Sequence, residues 1–286
     1  MRRLPAGAAA LLGLVAVGCG SSGSAGPDRS PAVDALRVVR AAATATAHAQ
    51  SVRMSGSMTE QLTGVTVRSG AAPVDVDVSS DFAGVVRTEP MAARLTLTNL
   101  VSNGSSIGGP MRELLTPRAI YMRIPQLAAQ TGKPWAVMRL ADIKQASGID
   151  LEAMLSQAEQ MQPAQYLAQL AAAGDVRVVG HEAVRGVPTT HYAGHVPIET
   201  ALARYDSDVR AQLAPVMRSA GFTGTTIDAW VDGQGQVRRV ASSTTGGRGS
   251  VAMHIDVLGY DVPVDVRPPP AGQVVDLGRL ALRTGR

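Results

Sequence analysis

The chain has 286 residues, 27 Lys and Arg against 23 Asp and Glu, and 45% hydrophobic residues, enough for one large domain or two small ones. All its basic residues except Lys133 and Lys144 are arginines, scattered along the chain instead of gathered in a stripe, which argues against a nucleic-acid partner. Cys19 is the single cysteine, so no disulfide can form within the chain and packing must hold the fold.

Residues 1–18 open on Met1, Arg2 and Arg3, continue through an apolar run that includes Leu11, Leu12 and Leu14, and end in small residues. That is the layout of a cleaved export signal. Cys19, directly after it, resembles the lipobox of bacterial lipoproteins, with Ala16 where that family usually has Leu. The resemblance implies a diacylglyceryl group on Cys19, cleavage before it, and a membrane anchor in which each buried CH₂ adds about 0.8 kcal/mol. The apolar run is too short to span a bilayer and no later stretch reaches about 18 apolar residues. The expected location is the cell membrane, lipid-anchored on the extracytoplasmic face.

Residues 19–31 are small, polar and turn-rich, as a flexible tether requires. A helix is expected over about 32–50, with Val33, Leu36, Val39, Ala43 and Ala47 at helical steps. From 51 to 140 the period becomes two, through Val52/Met54/Met58, Val74/Val76/Val78, Leu95/Leu97, Ile120/Met122/Ile124 and Ala136/Met138/Leu140, the alternation of antiparallel strands. Thr63-Gly64, Ser69-Gly70, Asn103-Gly104 and Gly132 break the run, and a meander is the simplest topology.

Two helices are expected next. The first opens at 147–150 and carries Leu151, Met154, Leu155, Ala158 and Met161; the second starts at Pro163, carries Tyr166, Leu167 and Leu170, and stops at Gly174. Strands return at Val176/Val178 and over 189–196. A helix follows with Ile198, Leu202, Tyr205, Val209, Leu213 and Met217 on one side, and Pro215 should kink or restart it. Strands over 226–231 and 237–242 flank Asp232-Gly233-Gln234-Gly235, and a last pair is expected at 251–258 and 262–266 before Pro268-Pro269-Pro270. This order argues for an α+β domain over 32–270, with an antiparallel sheet and helices on one face. Residues 271–286 form a C-terminal tail that reads either as an edge strand or as loose chain.

These residues resemble the LppX/LprG-like lipoproteins with the LolA-type half-barrel fold. The carriers are the helix ending near Ser51, the segment 119–125 followed by Gly132-Lys133-Pro134-Trp135, and the segment 228–239. The resemblance covers most of 32–267. It implies a curved antiparallel sheet, with helices packed over its concave face and an apolar cavity between them. It also implies a non-enzymatic role in carrying acyl lipids or lipidated molecules, with no cofactor. The partners would be membrane lipids, through the anchor, and a hydrophobic acylated ligand.

Flexible methionine side chains on predicted apolar faces suit such a ligand. The pocket candidates are Met54, Met58, Met122, Met138, Met154, Leu155, Met161, Leu202, Met217 and Met253; plain core filling is the alternative for each. With that alternative the chain would be an anchored module whose filled core leaves an edge or rim to bind an envelope protein.

Catalytic patterns are weak. Gly104-Ser105-Ser106-Ile107-Gly108 spells G-x-S-x-G but sits in a Gly/Ser loop, without the strand and helix that expose a nucleophile. His191 and His195, four apart on a strand, stand about 13 Å apart along it, too far for one zinc; His181 nearby does not complete a site. No metal site and no catalytic residue is expected.

Overall fold

The computed structural model describes residues 31–65, 72–106, 108–139, 163–203, 205 and 207–277. Cys19 and the tether as far as residue 30, and the expected helix at 147–161 with Met154, Leu155 and Met161, lie outside the described residues; Pro31, expected in the tether, instead opens a helix.

Helix α1 (Pro31–Ala47) leads into β1 (Ser51–Val65), β2 (Val74–Arg87), β3 (Ala92–Ser102), the two-residue β4 (Ser105–Ser106), β5 (Met111–Thr116) and β6 (Ala119–Arg123). Helix α2 (Pro125–Thr131) and β7 (Trp135–Arg139) close this half. The second half runs α3 (Pro163–Ala173), β8 (Arg177–Val184), β9 (Val187–Pro197), α4 (Ile198–Leu202), α5 (Ser207–Ser219), β10 (Gly224–Asp232), β11 (Val237–Gly246) and β12 (Gly249–Tyr260). A single turn of 3₁₀ helix, Ala271–Gln273, precedes β13 (Val274–Asp276).

All thirteen described strands join one curved sheet in the order β13-β7-β6-β5-β3-β2-β1-β12-β11-β10-β9-β8, with β4 off β3. Two meanders are thus stitched together where the first long strand meets the last, Met58 opposite Met253. Every ladder is antiparallel except β13 on β7, which is parallel. The C-terminal stretch therefore contributes an edge strand, tied by the Arg139–Asp276 ion pair and by the Lys133 ammonium donating to the Val274 carbonyl. The fold is an α+β half-barrel.

Cross-strand partners share a face of the sheet. Through the register, Met54, Met58, Phe82, Leu95, Met253, Ile255, Val240 and Ala229 fall on the inner face. Helices α1 and α3 pack on each other and on β8 to β11. Val39, Leu167 and Leu170 reach zero exposure in the same cluster as Ile227, Ala229 and Val240. Among the described residues, the helices therefore cover the C-terminal half of the concave face and leave the inner face of β1, β2, β3 and β5 to the cavity described below.

Four details depart from the sequence pattern. The buried stripe of α1 is Ala35, Val39, Ala42 and Thr46, while Val33 is 55% exposed; small Ala side chains let α1 approach the equally Ala-rich α3. Ile124 caps α2 instead of extending β6, and Pro125 at the first turn fits that start. The expected helix after β9 is split into α4 and α5 before Pro215, which sits within α5. Residues 262–266 form no strand because both edges of β12 are already taken, by β1 and by β11. The chain turns away at Asp261, φ 51°, whose carboxylate accepts from the Gln50 amide at 2.8 Å.

Candidate functional site

A cavity of about 210 Å³ lies on the inner face, partly open to solvent. Its floor comes from five neighbouring strands. Met54 and Met58 enter from β1, Ser80, Phe82 and Val86 from β2, and Ala93, Leu95 and Leu97 from β3; Glu113 and Leu115 close one end from β5, Met253 and Ile255 the other from β12. Alternation explains the lining: on each strand the lining residues stand two or four positions apart, so all point inward. Five strands at about 4.8 Å spacing give the cavity a length of roughly 19 Å along the curve.

Helix α3 reaches its far end, where the Tyr166 hydroxyl donates to Met253 Sδ at 3.7 Å. Met54, Val86, Ala93, Leu115, Met253 and Ile255 also belong to the main core, so cavity and core are one continuous apolar layer.

Two small residues shape the wall. Gly56 faces Phe82 on β2 and Ile255 on β12. A Cβ there would stand 2.0 Å from the His254 carbonyl oxygen and 2.7 Å from Phe82 Cζ. At Gly84 it would meet the Arg94 carbonyl oxygen at 2.1 Å. Glycine within a strand allows this close approach on the inside of the curve.

Among the described residues, two polar side chains line the cavity, Ser80 and Glu113. Glu113 sits between Leu95 and Met122 in its cross-strand row, and burial pushes its carboxyl pKa up from 4.5. Glu60, on the same side of β1 beyond Met58, is raised by burial as well.

Of the pocket candidates among the described residues, Met54, Met58 and Met253 line this cavity. Met122 and Met138 share its face by register, on β6 and β7, but stand beyond Glu113 and outside the lining. Leu202 is 3% exposed on α4. Met217 packs into a separate cluster with Leu62, Val65, Ala220 and Phe222. Phe82, Leu95, Leu97 and Glu113 were missed as lining residues; the alternating inward positions of the strands carrying the methionines were the available signal.

Other concavities have different chemistry. Two clefts of about 560 Å³ each are open and more polar, one around Lys133, Arg139 and Asp276, the other around Arg94, Arg112 and Asp265. Neither offers an apolar wall like that of the cavity.

The sequence motifs fall elsewhere. Ser106 lies on β4, paired antiparallel with β3 after the Asn103-Gly104 turn, so the strand-turn-helix of a nucleophile elbow is not formed there. His191 is held on the outer face, stacked on Trp230 with ring centroids 4.2 Å apart and with Nε2 2.7 Å from Asp228 Oδ1. His181 Nδ1 sits 3.1 Å from Thr190 Oγ1. Among the described residues no group of three His, Cys, Asp or Glu side chains is placed to hold a metal ion.

No family profile matches the chain. It is 31% identical over 163 residues to a 31.2 kDa protein of Streptomyces griseus encoded between rplA and rplJ, covering 56% of this chain and 53% of that protein; the match thus spans about half of that relative's length. It is 27% identical over 291 residues to a Streptomyces coelicolor protein whose name assigns it provisionally to the lipoproteins, covering 94% of this chain and 90% of that one. Among solved structures, the chain is similar to the Mycobacterium tuberculosis lipoprotein LppX, at 17% identity and a TM-score of 0.47, over 82% of its own length and 99% of that structure.

Proposed function

We propose that this chain is a non-catalytic lipoprotein, anchored through Cys19 on the extracytoplasmic face of the cell membrane, which binds or ferries a hydrophobic acylated ligand in the cavity over β1, β2, β3, β5 and β12. The observation that carries the reading is the cavity itself. Among the described residues, half of the concave face is covered by α1 and α3, and the other half presents an apolar, partly open trough continuous with the core. Such a surface suits a ligand that water rejects, at about 25 cal/mol per Å² of apolar area removed from water. The signal-like residues 1–18, Cys19 after them and the provisional name of the Streptomyces coelicolor relative support the anchor.

A second reading has one observation in its favour. The cavity's 210 Å³ falls below the roughly 300 Å³ at which ordinary ligand pockets begin, as for an interaction module whose core is nearly filled. A single variant separates the two. Cys19→Ser should be released to the medium, and tight membrane retention would overturn the anchor. Native mass spectra of the released chain, followed by solvent extraction, should show stoichiometric copurifying lipid. An apo mass that takes up no added phospholipid would favour the interaction module.

A further inference from the structure

Glu113 is, among the described residues, the one ionisable side chain in the lining of the apolar trough. Among the described residues neither it nor Ser80 has a side-chain hydrogen bond or ion pair. The two do not converge. In the sheet register Glu113 lies in line with Leu95 and Gly84, and Ser80 stands four residues from Gly84 on the same strand, about 13 Å away along it. Glu113 therefore marks one end of the trough, with Leu95, Leu97, Phe82 and Met58 leading away from it toward β12.

Resting on the carrier reading above, we propose that Glu113 fixes the polar end of the ligand, and that the ligand class is a single-chain amphiphile with an uncharged carbonyl headgroup, an ester or a carboxylic acid. A carboxyl on an apolar wall, with no cation beside it among the described residues, is shifted toward its neutral form, and burial does raise the Glu113 pKa. A neutral carboxyl offers one O–H donor and a carbonyl acceptor, the complement of another carbonyl or carboxyl group. One chain is indicated by size: the cavity is somewhat larger than the apolar cavity of about 150 Å³ that holds one benzene, too small for several chains side by side.

The test uses the full chain carrying Cys19→Ser and three probes of equal chain length: methyl laurate, dodecane and dodecylamine. Affinities are read by displacement of a fluorescent apolar dye. Methyl laurate should bind roughly tenfold more tightly than dodecane, the effect of one hydrogen bond on an apolar wall. Glu113→Leu should erase that preference, so that methyl laurate and dodecane bind alike, and Glu113→Gln, which keeps a neutral donor, should retain it. Equal binding of methyl laurate and dodecane overturns the headgroup role, and so does a preference for dodecylamine that Glu113→Gln abolishes; in both cases the trough still takes a chain and the carrier reading stands. If the chain binds none of the three, the carrier reading falls and this proposal falls with it.

Discussion

Arg239 on β11 grips Asp256 on β12, with Nε 2.6 Å from Oδ1 and Nη2 3.2 Å from Oδ2. The two residues are direct cross-strand partners on the outer face, opposite the core positions Ile255 and Val257. Arg185 adds a second guanidinium, its Nε 2.8 Å from Asp256 Oδ2 and its Nη2 3.3 Å from Ser55 Oγ. Arg185 occupies the β8–β9 turn with φ 50°, so the tip of that hairpin folds over the outer face and is clamped to β12 and β1. Glu182, near the end of β8, accepts from Trp230 Nε1 at 2.6 Å.

The clamp predicts a pH profile. Burial alone would raise the Asp256 pKa, but hydrogen bonds from Arg239 and then Arg185 outweigh it and take the carboxyl down to about 2. Because the folded value lies below the unfolded one, the stabilisation is complete above the unfolded value and is lost as pH falls toward 2. It amounts to about 2–3 kcal/mol for a buried carboxylate shifted this far. Asp256→Asn should lower the urea midpoint at pH 7 accordingly, and the gap between wild type and variant should close between about pH 5 and pH 2. Parallel profiles would place the stabilisation elsewhere.

Gly56→Ala tests the wall of the trough. The new methyl would overlap the His254 carbonyl oxygen, which is backbone and cannot rotate away, and would press on the Phe82 ring. Overpacking of this kind destabilises by about 1–3 kcal/mol. Thermal unfolding should show that loss, and a midpoint equal to wild type would mean that β1 and β12 have slack the register does not suggest.

The alternation of Met54/Met58, Leu95/Leu97 and Ile120/Met122 makes the strands readable because each has one wet face and one dry face. Pro163 and Gly174 bound α3 for equally local reasons, a free first-turn amide and a left-handed cap. What was not legible depends on partners distant in sequence. Residues 262–266 alternate like a strand but find no free edge beside β12. Val33 looks like part of an apolar stripe, yet α1 approaches α3 through Ala35, Val39 and Ala42, where small side chains allow closer packing. Glu113 was invisible for the same reason: an acid in an alternating strand reads as a solvated face until its neighbours Leu95 and Met122 show that it points inward.

Arg112 and Arg123 are directly opposite each other on β5 and β6, both exposed. Like charges facing across an antiparallel pair destabilise by about 0.2–1 kcal/mol. Arg123→Thr should therefore raise the thermal midpoint, and the gain should shrink in 1 M salt, where the screening length falls to about 3 Å. A midpoint that drops, or a gain insensitive to salt, would show that the guanidinium stems contribute packing that outweighs their repulsion.

Glu113 should give the opposite pH signature to Asp256. Burial raises its pKa above the ordinary 4.5, so the unfolded chain gives up this proton before the folded chain does. Stability is then fully present below the unfolded value and declines as pH rises through the folded one. Glu113→Gln removes the titration while keeping size and polarity, so the variant should match wild type near pH 4 and exceed it at pH 8. Glu60 is raised by burial too, so part of the wild-type decline should survive in this variant and disappear when Glu60→Gln is added. Urea midpoints for the wild type and both variants between pH 4 and pH 8 would check this; a Glu113→Gln curve running parallel to wild type would mean that the Glu113 carboxyl reaches solvent as freely in the folded chain as in the unfolded one.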